Sequence, residues 1–143
     1  MIWLRYSLVF VATALGGALL VYGVHAYRGT QLGSAAQLMV PAMIASVVEG
    51  RQYYRTNGAR PHANEVLRLA VIFTGLATVL NVGLAYLPGG LMIQFAKLAV
   101  APAFGQQFGM LLGIYALGYL VFNWFFFRLG AQNAERLANE DRP

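Results

Sequence analysis

Residues 67–87 read LRLAVIFTGLATVLNVGLAYL, twenty-one positions with one charge, Arg68. A helix rises 1.5 Å per residue, so about 20 apolar residues cross the roughly 30 Å of hydrocarbon in a bilayer. The run therefore reads as a membrane span. Working outward, three more apolar stretches of similar length stand out: Leu4–Val24, Leu32–Val48 and Phe108–Phe127. The reading is an all-α membrane protein, a four-transmembrane-helix bundle forming a single domain over residues 1–143.

Composition agrees. Hydrophobic residues make up 59% of the chain and charged residues 10%, with a mean hydropathy of +0.58. Soluble domains carry about 25% charged residues, so this chain lacks the polar side chains to cover a water-facing surface. There is no cysteine, which excludes disulfides, thiol chemistry and cysteine-ligated metals.

Charge sets the orientation. With the N-terminus inside, eight of the ten basic residues (Arg5, Arg51, Arg55, Arg60, Arg68, Arg128, Arg136 and Arg142) lie on the cytoplasmic side; Arg28 and Lys97 lie outside. The positive-inside rule then places both termini in the cytoplasm. All five acids fall on or beside the inner face. Trp3, Tyr6 and Trp124 suit the inner interface, and Tyr22, Tyr27 and Tyr86 the outer one. Met1–Ala26 could also be a secretory leader cleaved after Val24-His25-Ala26, but its apolar stretch exceeds a leader's h-region, and Leu4–Val24 is read as the first span.

Turn chemistry divides the spans. Span two contains Pro41, is expected to kink there, and runs on through Glu49-Gly50-Arg51 to stop at Asn57-Gly58, a helix-ending pair. Asn64 or His62 caps span three, which ends at Leu87-Pro88-Gly89-Gly90. Residues 91–101, interrupted by Gln94 and Lys97, read as a short interfacial helix on the periplasmic side. Residues 128–143 read as a cytoplasmic tail holding a short polar helix over 131–139.

Few side chains suggest chemistry. Gly105, Gly109 and Gly113 form a GxxxGxxxG run on one helical face, and span one carries Gly16 and Gly17. Such flat faces permit close helix packing, either on a partner subunit or between spans one and four of this chain. Glu49 reads as one half of a structural ion pair, with Arg51, Arg55 and Arg68 near it in sequence; an ion or proton ligand is the other reading. Arg51, Arg55 and Arg60 with Tyr53 and Tyr54 suit anionic lipid headgroups, and nucleic acid is not expected. Mid-span positions offer neutral groups, Thr74, Asn81 and Asn123, which bridge helices more readily than they bind ions. His25 and His62 fall on opposite sides of the membrane and cannot share a ligand. No hydrolase triad, HExxH or P-loop is present, so neither catalysis, metal nor cofactor is expected.

One resemblance spans most of the chain. Pro41-Ala-Met-Ile-Ala, Glu49-Gly50, Tyr53, Gly58, Arg60-Pro61 and Glu65, followed by Phe125-Phe126-Phe127, Leu129-Gly130-Ala131 and Asn133, resemble a family of small uncharacterised four-span bacterial inner-membrane proteins. The resemblance implies the architecture and a bacterial inner-membrane location. It implies no reaction and no catalytic residue. The expected role is an accessory or structural subunit packing against a larger respiratory or photosynthetic complex. The alternative is a small homo-oligomeric transporter or channel-like protein with Glu49, Asn81 and Asn123 along its route.

Overall fold

The structure, a computed structural model, describes residues 2–28, 35–85 and 105–140. It is all-helical over these residues, with α1 Ile2–Arg28, α2 Ala35–Asn57, α3 Ala63–Ala85 and α4 Gln106–Glu140. Among the described residues three helices are long and apolar enough to cross a membrane, over Ile2–Val24, Ala63–Leu84 and Gln106–Glu140. α2 is not among them, because Glu49, Arg51 and Arg55 occupy its second half. The proposed interfacial helix at 91–101 lies outside the described residues.

Local chemistry explains the α2–α3 junction. Gly58 adopts φ 67°, the left-handed conformation that glycine reaches without a Cβ penalty, and its N–H donates to the Tyr54 carbonyl at 2.8 Å. That is the αL termination of a helix. Four residues later the Glu65 carboxylate accepts the backbone N–H of His62 at 3.2 Å, and Val66 N–H donates to the His62 carbonyl at 3.0 Å. His62 therefore takes the N-cap position of α3, with Glu65 reaching back as in a capping box. α2 runs unbroken through Pro41.

Side-chain pairings give the helix directions. Tyr6 meets Asn123 and Phe10 meets Tyr119, so α1 and α4 are antiparallel. Arg60 pairs with Glu135, Phe73 with Phe127 and Thr74 with Asn123, so α3 and α4 are antiparallel as well. The result is an up-down-up-down bundle in which α2 sits between α1 and α4 and runs parallel to α4.

The bundle interior is aromatic and polar, and its outside is aliphatic. α1 buries Tyr6, Phe10, Ala14 and Ala18, a strict four-residue stripe, while Leu4, Leu8, Leu15, Leu19 and Leu20 stand exposed around it. α3 buries Val66, Ala70, Phe73, Ala77, Asn81 and Leu84, in steps of three and four as in left-handed helix packing. Tyr6 stacks face to face on Phe73 at 4.4 Å and 6°. A surface this apolar, wrapped around buried polar groups, suits lipid as the solvent.

One expectation is corrected at α4. Residues 128–140 are a continuation of one 35-residue helix, with no break before the polar segment. At 1.5 Å per residue such a helix is about 50 Å long, well beyond the hydrocarbon. Its extension is not a loose tail: Gly130, Ala131 and Ala134 are buried, and Glu135 pairs with Arg60 of the α2–α3 turn.

Candidate functional site

The polar side chains converge on one level of the bundle. Asn123 of α4 is fully buried and bonds to all three other helices. Its Oδ1 accepts from the Tyr6 hydroxyl of α1 at 2.9 Å and from Ser46 Oγ of α2 at 2.5 Å. Its Nδ2 donates to Thr74 Oγ1 of α3 at 3.3 Å. One amide thus ties four helices together. A buried amide left without partners costs several kcal/mol in hydrocarbon, so this layer defines which faces of the helices can meet.

An ion pair lies one helical turn from that layer. Arg5 Nε donates to Glu49 Oε1 and Arg5 Nη2 to Glu49 Oε2, each at 2.6 Å. The fork geometry satisfies both carboxylate oxygens at once. Glu49 is 2% exposed, whereas the Arg5 side chain is 39% exposed. The sequence neighbours Arg51 and Arg55 are exposed and take no part in this pair.

The second organising feature is a glycine crossing between α2 and α4. A Cβ placed on Gly50 would overlap the carbonyl oxygen of Phe127, and one placed on Gly130 would overlap that of Val47. Each glycine therefore faces the carbonyl three residues before the other glycine, a near-symmetric contact between parallel helices. Only glycine lets the two backbones approach this closely. Higher in the same seam, a Cβ on Gly118 would sit 2.8 Å from the Met39 methyl, a flexible neighbour able to move.

The glycines singled out by pattern behave differently. A Cβ on Gly16, Gly17, Gly109 or Gly113 would meet nothing within 4 Å. Spans one and four do not pack together through these residues; among the described residues the faces are open. Gly105 lies just before α4, and its carbonyl accepts the N–H of Gly109 at 3.1 Å. Gly50 and Gly130 enter the sequence reading through the family resemblance and not as packing residues. Gly50 is the single glycine of α2, whereas Gly130 is one of four in α4, so neither follows a repeat that marks a contact face.

At the cytoplasmic end predicted from charge, Arg60 is paired with Glu135, while Arg51, Arg55 and Arg68 are exposed. Arg128 lies over the Trp124 ring, 5.0 Å from its centroid, a cation–π geometry. Tyr53 donates to Glu65 Oε2 at 2.8 Å, and that carboxylate pushes the phenol above its ordinary pKa. His62 is exposed, and the His25 side chain lies outside the described residues. Among the described residues no three histidines or carboxylates gather at one point. The arrangement holds the helices in register and leaves Arg51, Arg55 and Arg68 exposed at its basic end. The chain matches no protein-family model, no curated protein and no solved structure.

Proposed function

We propose that this is a non-enzymatic four-span protein of the bacterial inner membrane, with both termini cytoplasmic, that serves as an accessory or structural subunit of a larger membrane complex. Two observations support α2 as the fourth span. It lies between α1 and α4 along their length, and its polar side chains Ser46 and Glu49 are turned into the bundle and satisfied there. Shielded in that way, they do not meet lipid, and a modest apolar content suffices. The excess of arginines at one end supports the orientation, and the likeness to four-span inner-membrane proteins belongs to the same proposal.

The observation that carries the role is a division of labour among the small and polar residues. Asn123, Tyr6, Ser46, Thr74, Arg5 and Glu49 are consumed in holding the four helices. The flat faces at Gly16/Gly17 and Gly109/Gly113 are left open. The transporter alternative routes a solute past Glu49, Asn81 and Asn123; Glu49 is occupied by Arg5 and Asn123 by three partners, which counts against it.

The test is affinity capture of a C-terminally tagged chain from mild-detergent extracts, with mass spectrometry of what accompanies it. Stoichiometric recovery of one larger complex, lost on Gly109→Leu or Gly113→Leu while insertion is retained, is the expected outcome. Association that survives both substitutions rules out the glycine face as the contact, and recovery of the chain alone rules out the subunit role.

A further inference from the structure

The layer at Asn123 is closed, but one turn and two turns further along α3 lie two polar atoms that are not. Thr78 Oγ1 and Asn81 Oδ1 are both buried, and among the described residues neither has a hydrogen-bond partner. Asn81 as a whole is 1% exposed. The two residues are three apart on one helix and so share a face.

Both are anomalous for their setting. A threonine in a membrane helix ordinarily donates to the carbonyl four residues back. Thr13 does so, bonding the Val9 carbonyl at 2.7 Å. Thr78 does not, which leaves its hydroxyl available. A buried amide oxygen without a donor is rare, and in a bilayer no bulk water replaces the missing partner.

Register explains why no side chain answers. Tyr6 stacks on Phe73 and α1 runs parallel to α3, so eight residues further along, Ala14 stands at the height of Asn81. The α1 stripe that presents a large Tyr6 at the closed layer presents a methyl here. α4 runs antiparallel from the Asn123–Thr74 contact, which brings Tyr115 and Ala116 to the same height. Ala14 and Ala116 bring no polar side chain to that height.

We propose that Thr78 and Asn81 form a binding site for a buried water molecule. Water has two O–H donors, enough for Asn81 Oδ1 and Thr78 Oγ1 together, and it takes two to four partners in protein interiors. The site lies one turn from Thr74, whose hydroxyl accepts from Asn123, so the water extends the polar core of the bundle rather than standing apart from it. The ligand is resident in the isolated chain and requires no partner subunit.

The experiment uses the full chain labelled with 15N-asparagine in lipid nanodiscs, reading cross-peaks between water protons and side-chain amides. The expected result is a cross-peak at the Asn81 amide with the sign of a long-lived, slowly tumbling water, and none at the Asn123 amide. Absence of the Asn81 cross-peak, or equal cross-peaks at both amides, overturns the proposal. A second measurement covers the case of poor spectra. If a shared water is present, Asn81→Leu and Thr78→Val each lower the unfolding midpoint and the double variant loses less than the sum. If the oxygen is a true orphan, Asn81→Leu raises the midpoint, and the site does not exist.

Discussion

The α2–α4 crossing makes a sharp prediction because its tolerance is so small. Gly50→Ala adds one methyl where the Phe127 carbonyl already stands, with the Phe127 carbon at 2.9 Å and the Ala131 nitrogen at 3.0 Å from that position. All three obstacles are backbone, so no side-chain rotation relieves them. A carbon–oxygen contact settles at roughly 3.3–3.6 Å, so the helices must part by about 1 Å. A gap of that size forfeits a quarter to a half of each van der Waals contact, each worth about 0.1–0.2 kcal/mol. If the crossing engages as many atom pairs as one buried leucine, about 40–60, the loss is about 1–6 kcal/mol, the lower half of which matches measured overpacking costs. Gly130→Ala should cost a similar amount. The double variant should cost clearly less than the sum, since helices already parted for one methyl accommodate the second. Gly113→Ala is the control: nothing lies within 4 Å of its Cβ, and better helix propensity makes it neutral or stabilising by up to about 1 kcal/mol. The assay is helicity by circular dichroism as the SDS mole fraction rises in mixed micelles. A Gly50→Ala midpoint equal to that of Gly113→Ala would refute the close crossing.

Three further predictions rest on the polar core and the helix directions. Asn123→Leu leaves Tyr6, Ser46 and Thr74 without their shared partner and should destabilise by about 2–4 kcal/mol in the same titration, given roughly 0.6–1.7 kcal/mol per hydrogen bond between membrane helices; a loss under about 0.5 kcal/mol would show that the layer contributes little. Arg5→Ala strands a buried carboxylate and should cost about 3–5 kcal/mol, whereas Arg5→Ala/Glu49→Ala should recover much of that loss; a double variant no better than Arg5→Ala would mean that the two residues act separately. The chain has no cysteine, so Tyr27→Cys and Ala59→Cys each create a single reporter. In intact cells a membrane-impermeant maleimide should label Tyr27→Cys at once and Ala59→Cys only after permeabilisation. Labelling of both from the same side would show that α2 does not cross.

Much of the helix layout was legible because apolar runs and turn residues are local signals. Asn57-Gly58 ends α2 through a left-handed glycine, and His62, one of the two caps read from sequence, takes the N-cap of α3, where Glu65 accepts its backbone N–H. The end of α4 was misjudged because charge was read as a helix boundary. Charge marks where a helix leaves hydrocarbon, while alanine, glutamate, arginine and glutamine continue the helix itself, and these make up most of residues 131–140.

The partners of Glu49 and of the glycines were illegible for a different reason. Arg51 is two residues from Glu49, and residues two apart on a helix point to nearly opposite sides, so nearness in sequence excluded the contact instead of suggesting it. The true partner, Arg5, lies 44 positions away. A glycine repeat likewise shows that a face is flat without showing what stands opposite it. Among the described residues Gly109 and Gly113 face open space, while Gly50 abuts the backbone of Phe127 and Gly130 that of Val47.

What does transfer from sequence is an inventory. In lipid each buried polar group must find another, so the few polar residues inside the apolar helices are close to a contact list for the fold. Tyr6, Ser46, Thr74 and Asn123 satisfy one another, as do Arg5 and Glu49. Thr78 and Asn81 are the described pair that this pairing leaves over. Their surplus is why a water molecule, and not another side chain, is the partner to look for there.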